Sequence, residues 1–252
     1  MLFSQAIPPG GQVTPEDRYT RLDLSRQAGE DRPYVVCNFV SSLDGKATAQ
    51  GRTSALGGDA DRTVFHLLRT QADALLAGTG TLRIERYGVG TRNEELAQFR
   101  LAEGRTPQPL VVVISRSGNV PFEIPLFADS RAEVALYAPA DTAIPACAAR
   151  VTHHHTPTGE DDLSKIMRSL RRDHQIRSLL CEGGPILFNS LLRQSLVDEL
   201  FLTLSPTLTG GDELGITTGP ALQPLQTMDL EWVLECDGSL FLRYVRRRQA
   251  TF

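Results

Sequence analysis

Two glycine-rich turns carry the first chemical signal in this sequence, Gly78-Thr79-Gly80-Thr81 and Glu182-Gly183-Gly184-Pro185. Each follows a short apolar segment, Asp73 to Ala77 in one case and Arg177 to Cys181 in the other, and each precedes a stretch with helical spacing. The missing side chains of Gly78 and Gly80 let a phosphate approach the backbone, and the N–H groups of a starting helix, with the Thr81 hydroxyl, supply donors. Pro185 fits the first helical position, where its absent N–H costs nothing. Either turn alone reads equally well as a tight turn. Two of them in corresponding places favour a dinucleotide phosphate site. Neither is the G-x-G-x-x-G fingerprint, and no G-x-x-x-x-G-K-[ST] occurs, which disfavours an ordinary Rossmann dehydrogenase or an NTPase.

Ser115-Arg116 follows another buried segment at the same expected edge. A hydroxyl beside a guanidinium suits the 2′-phosphate that separates NADPH from NADH, and an exposed loop arginine is the plain alternative. Arg62 and Arg69, seven residues apart, share one helical face and suit either an anionic substrate or solvated surface charge. His153-His154-His155 alternates in direction if extended, and no Cys or second His cluster accompanies it, so no metal is expected. Arg246-Arg247-Arg248 reads as a solvated terminus.

The elements that must hold these residues alternate. Tyr34 to Val40 is apolar and β-branched, a buried strand ending in Ser41-Ser42-Leu43-Asp44-Gly45-Lys46. A helix with Val64, Phe65, Leu68 and Ala72 on one face follows, with Asp59 as its expected N-cap and Asp61 at the positive end of its dipole. Leu110 to Ile114 and Glu133 to Tyr137 read as strands, Asp161 to Asp173 as an amphipathic helix, and Pro185 to Leu192 as another helix. This alternation predicts an α/β fold, a mostly parallel sheet with helices on both faces. Such a sheet places its ligand crevice at the carboxyl ends of the strands, where both glycine turns belong. Val197 to Leu204 reads as a further strand, and Asp237-Gly238 between two apolar runs predicts an antiparallel C-terminal hairpin. Residues 1–32 read as an extension ahead of one domain spanning 33–252.

A net charge of −4 argues against nucleic acid as a partner. Cys37, Cys147, Cys181 and Cys236 are scattered, neither a disulfide framework nor a zinc pattern, which suits a reducing compartment. No signal peptide and no run of roughly 20 apolar residues is present, so a cytoplasmic protein without a membrane partner is expected.

From Pro33 onward the chain resembles the pyrimidine reductase of riboflavin biosynthesis, the domain often fused behind a deaminase and also found alone. The resemblance rests on an ordered set: Ser42-Leu43-Asp44-Gly45-Lys46, Gly58-Asp59-Ala60-Asp61-Arg62 with Leu68-Arg69, Ala77 to Thr81, Cys181 to Pro185, Val197-Asp198-Glu199-Leu200, and Leu208-Thr209-Gly210-Gly211. It implies a dihydrofolate-reductase-like fold, NADPH as hydride donor, a homodimer, and reduction of 5-amino-6-(5-phosphoribosylamino)uracil to the ribitylamino product. It places Val40, Thr81, Glu85 and the turn Gly183, Gly184, Pro185, Ile186 and Leu187 against NADPH, with Ser115 and Arg116 near the adenosine phosphate. Thr53, Arg69, Val89 and Arg92 fall where the family holds substrate, the arginines nearest its 5′-phosphate, and a shortened loop before Gly51 leaves Ser54 as the alternative to Thr53. Glu182 falls on the substrate side of the reaction centre, and Lys46 where several members carry a lysine. Glu85-Arg86-Tyr87-Gly88 departs from the acidic-Asn/Asp-Pro segment of the fused enzymes and looks like the stand-alone branch. No H-x-E pairs with a P-C-x-x-C, which excludes a zinc deaminase.

The reaction so implied is hydride transfer to C1′ of the ribose after the amino sugar opens to an imine, assisted by an acid. Lys46 and Glu182 are the candidates, as a lysine–carboxylate pair or as a salt bridge closing two loops. Two other readings compete. Pterin reductases usually carry an early Trp and a buried acid on the first helix, and the sole Trp here is the late Trp232. A non-catalytic NADPH-binding protein would tend to lose the phosphate-facing arginines, and Arg69 and Arg92 are both present.

Overall fold

The computed structural model describes residues 1–156 and 162–247. Asp161 and Arg248, singled out above, lie outside them. The apolar runs become the centre of one sheet. Tyr34–Ser41 (β3) lies between Ser178–Cys181 (β8) and Glu199–Leu204 (β9), and beyond β8 follow Ala74–Gly78 (β4), Leu110–Ile114 (β5), Glu133–Ala138 (β6) and Arg150–His155 (β7). These seven strands are parallel. Their carboxyl ends therefore share one edge.

On the other side of β9 the direction alternates. Met228–Cys236 (β10) and Ser239–Arg246 (β11) form an antiparallel hairpin, and β11 pairs with β9. The hairpin turn is the expected Asp237-Gly238, with φ of 51° and 77°, the positive values such a two-residue turn demands. The sheet then continues into residues read from the sequence as an extension. Phe3–Ile7 (β1) pairs with β10, placing Ser4 opposite Glu235, and Gln12–Val13 (β2) pairs with β1. Residues 1–32 are thus built into the body: Phe3 and Tyr19 are buried in the core with Phe201, Trp232 and Phe241. The strand was not legible because β1 buries only Phe3 and Gln5, too short an alternation to show a period.

Helices cover both faces. Asp162–Asp173 (α6) and Pro185–Arg193 (α7) press Leu163, Ile166, Met167, Leu170, Phe188 and Leu191 onto Val35, Cys37, Leu76, Val112 and Leu179. The opposite face takes Pro15–Tyr19 (α1) and Asp59–Gln71 (α2), whose Ala60, Val64, Leu67 and Leu68 meet Val36, Leu75 and Leu180. Thr79–Glu85 (α3) and Pro125–Ala128 (α5) lie farther along that face, with Leu82, Leu126 and Phe127 against Val111 and Val113. Glu94–Ala102 (α4) contributes Arg100, fully buried, whose Nη1 donates to the carbonyls of Arg69, Thr70 and Ala72 at the end of α2. The N-cap of α2 is Gly58, not Asp59. Asp59 enters the first turn, where its charge suits the dipole and it pairs with Arg62. No helix among the described residues is long and apolar enough to cross a membrane.

Candidate active site

The two glycine turns meet. Gly78, the last residue of β4 and N-cap of α3, donates its N–H to the Gly183 carbonyl at 3.1 Å. Gly183 has φ +115°, open in practice to glycine, and the Gly183–Gly184 peptide is cis. A Cβ on Gly184 would stand 3.0 Å from Thr81 Oγ1, so the second turn lies directly over the Thr81 hydroxyl. Gly184 caps α7 without a side-chain bond to its N–H groups, and Pro185 occupies the first helical turn. Ile186 is exposed and Leu187 packs toward the core. Strand register sets Gly78 opposite Ile114, which brings Ser115 and Arg116 to the same edge. Ser115 is buried, and its Oγ has no partner among the described residues. Arg116 reaches back to Asp162 at 2.8 Å.

These groups fit a dinucleotide. Gly80 faces open space where a side chain would stand. The start of α7, the Thr81 hydroxyl and the orphaned Ser115 hydroxyl supply donors along one edge of the sheet, the arrangement that receives phosphates.

Beside them lies a cavity of about 580 Å³, within the size range of small-molecule pockets. Val40 from β3, Thr53, Ser54, Thr81, Glu85, Val89, Arg92, Arg69 and Glu182 all line it. At its centre Glu182 forms a bidentate pair with Arg69, Nε to Oε1 at 2.7 Å and Nη2 to Oε2 at 2.8 Å. Tyr87 donates its hydroxyl to the same Glu182 oxygen. The guanidinium stacks on Phe65 at 4.1 Å and lies 5.0 Å from the Tyr87 ring, and its Nη1 donates to the Gly90 carbonyl.

This geometry revises two expectations. Lys46 does not pair with Glu182: its Nζ donates to the Glu213 carbonyl at 3.1 Å, and it bridges to Gly215. The reason is the loop after β3, which folds against residues 207–215 through Asp44 and Lys46. Arg69 is buried and its charge already compensated, so it is a poor free anchor for phosphate. Arg92, exposed at the cavity rim, keeps that capacity. Thr53 and Glu85, expected on the substrate and cofactor sides respectively, touch each other, Oγ1 to Oε1 at 2.8 Å.

Among the lining residues not singled out for the site from the sequence are Asp61, Phe65, His66 and Tyr87. Asp61, Phe65 and Arg69 stand at i, i+4 and i+8 on α2, so the periodicity that located Arg69 also held the other two. His66 is half-buried, its Nδ1 lacks a partner among the described residues, and its pKa is pushed down to about 4 by burial, then by Arg69 and Arg92, leaving the ring neutral. His153-His154-His155 forms the edge strand β7, where His154 stacks on Tyr137 and meets His174 at 3.1 Å. No group of three or more metal-ligating side chains occurs among the described residues.

The family model described as the RibD C-terminal domain matches residues 33–239. The chain is 28% identical over 218 residues to the 2,5-diamino-6-ribosylamino-4(3H)-pyrimidinone 5′-phosphate reductase of Archaeoglobus fulgidus, covering 85% of this chain and 91% of that one. It is 29% identical over 206 residues to the riboflavin biosynthesis protein RibD of Escherichia coli, covering 77% of this chain and 53% of that protein. A crystal structure of a pyrimidine reductase-like protein from Corynebacterium diphtheriae shares the fold with a TM-score of 0.76 at 24% identity, covering 94% of this chain and all of the other. With a parallel sheet whose two glycine turns close on one cavity, and a family match across most of its length, the chain belongs to the RibD C-terminal domain family.

Proposed function

We propose that the protein is an NADPH-dependent reductase of a phosphorylated ribosylaminopyrimidine. It would take 5-amino-6-(5-phosphoribosylamino)uracil, or the 2,5-diaminopyrimidinone named for its relatives, to the ribitylamino product. The observation that carries this reading is the junction of Gly78–Thr81 with Glu182–Pro185 beside a cavity lined by Val40, Arg69, Arg92 and Glu182. NADPH supplies the hydride. Thr81, the start of α7 and Ser115 hold its phosphates, and Arg116 stands where the 2′-phosphate is distinguished. Arg92 meets the substrate phosphate at the rim. The Arg69–Glu182–Tyr87 cluster forms a rigid polar wall, fixing the substrate against Val40, while Phe65, Val89 and Tyr87 exclude water. The same reading makes the protein a cytoplasmic homodimer, in keeping with its family and its four free cysteines.

Titration of NADPH fluorescence followed by oxidation assays at 340 nm tests this. Saturable NADPH binding and turnover with either ribosylaminopyrimidine are expected. Absence of cofactor uptake would refute it. The second reading, dihydropterin reduction, gains one observation, a carboxyl recessed on α2 at Asp61, and dihydrofolate belongs in the same assay as the competing substrate. Faster turnover of dihydrofolate would reverse the order of the two.

A further inference from the structure

The reduction assigned above consumes a proton as well as a hydride, and a cavity carboxyl that binds its proton more tightly than an ordinary one is suited to donate it. Four carboxyls line the cavity. Both oxygens of Glu182 are taken up by Arg69 and Tyr87. Asp129 pairs with Arg131 at 2.6 Å, which holds its carboxyl below the usual range. Glu85 accepts from both the hydroxyl and the N–H of Thr53. His66, neutral and hard to protonate, cannot supply an acid.

Asp61 differs from Glu182 and Asp129 in having no salt bridge among the described residues, and from Glu85 in not being held by a paired hydroxyl and N–H. It projects from the first turn of α2, and the Thr203 hydroxyl of β9, itself buried, faces it. Its Oδ2 rests against Gly57, where even a Cβ would come within 2.5 Å. The charged and titratable groups that act on it are few: Arg62 from its own helix and Tyr19 from α1. Tyr19 is buried and its hydroxyl is held protonated by burial, so it brings no charge. Across the cavity stand the compensated Arg69 and the rim cations Arg86 and Arg92. Burial therefore prevails over the attraction of Arg62 and the hydrogen bond from Thr203, and the Asp61 carboxyl binds its proton more tightly than an ordinary aspartate.

We propose that Asp61 is the general acid of the reduction. Resting on the function assigned above, the step is balanced as follows. The opened substrate presents a C1′=N bond, C1′ accepts the hydride with its electron pair, and the π electrons move to nitrogen. Nitrogen forms its new N–H bond with the Asp61 proton, leaving NADP⁺ and the Asp61 carboxylate, which regains a proton from solvent. Gly57 and Thr203 are positioning residues that fix the carboxyl's direction.

The test is Asp61→Asn, near-isosteric and able to keep the Thr203 contact. Its kcat should fall about 100-fold or more, the usual worth of a general acid, while the NADPH Kd from fluorescence stays within about threefold. The wild-type kcat should fall as pH rises past the Asp61 pKa, and the residual rate of the variant should lose that limb. Gly57→Ala, which pushes on Oδ2, should lower kcat with an unchanged NADPH Kd. As a readout without turnover, the Asp61 ¹³C carboxyl resonance of the ligand-free enzyme should titrate above the ordinary 3.8. That measurement decides the matter even if a variant fails to fold. Titration at or below 3.8, or an Asp61→Asn enzyme with wild-type kcat and an intact pH limb, would overturn the assignment while leaving the reductase reading in place. A wild-type enzyme that binds no NADPH would instead overturn both.

Discussion

Replacing Glu182 by Gln removes one negative charge and converts one acceptor oxygen into a donor. The side chains of the Glu182–Arg69 pair are 2% and 6% exposed, so water cannot take over the lost interaction. One amide orientation keeps a bond to Arg69 Nε but turns an N–H toward Nη2. The flipped amide exchanges the conflict. Either way a guanidinium is left buried with a donor facing a donor, and beyond the one amide oxygen only the Gly90 carbonyl and the Phe65 and Tyr87 rings remain to it. Breaking a buried pair in this manner costs about 3–5 kcal/mol. For a chain of this size, that corresponds to a fall in Tm on the order of 6–20 °C. Urea unfolding at pH 7, checked by thermal melts, measures the loss. The double variant with Arg69→Met should recover a large part of it, because a buried pair replaced by apolar groups is nearly neutral. A Glu182→Gln protein within about 1 kcal/mol of wild type would show that the wall around Glu182 is wetter or looser than drawn, and the argument that Arg69 is unavailable to phosphate would go with it.

Three further outcomes follow from named contacts. Arg100→Met leaves the Arg69, Thr70 and Ala72 carbonyls without their donor and should destabilise by about 2–4 kcal/mol in urea unfolding; an effect below 1 kcal/mol would contradict the end-capping role. His66 has its folded pKa lowered from 6.5 to about 4, so between those values the unfolded chain binds a proton that the native state does not. Stability must therefore drop as pH falls through that window and level off below it, and His66→Gln should reduce the slope. Arg116→Ala should weaken NADPH binding about tenfold with little change for NADH, as expected for a charge-assisted contact to the 2′-phosphate; equal losses for both would remove Arg116 from cofactor discrimination.

How much of this could be read in advance depended on burial. The central strands declared themselves because β3, β4, β5 and β8 are covered on both faces and so are written as apolar runs. The hairpin declared itself through Asp237-Gly238. β7 did not, since Arg150-Val-Thr-His-His-His is an edge strand with solvent on much of it and carries the composition of a loop. In the site, the glycine turns were legible because their backbone geometry excludes other residues, as at Gly183. The partners were not. Nothing in the spacing says that Glu182 will choose Arg69, 113 positions away, over Lys46, because that choice is made by where two loops land. Tyr87 and Asp61 were hidden for a related reason: a tyrosine after a helix and an acid in a first turn have ordinary structural uses, and only the closed cavity turns them inward.

The pairing of Ser4 with Glu235 carries a consequence for how the molecule comes into being. On the ribosome the first strand emerges more than two hundred residues ahead of its neighbour, an interval on the order of ten to forty seconds at ordinary elongation rates. Phe3 and Tyr19 wait through that interval without Phe241 and Trp232, the rings that will cover them. The nascent chain thus displays an unpaired edge and uncovered aromatics until residues 228–246 have been made, and that seam closes only when segments more than two hundred positions apart find each other.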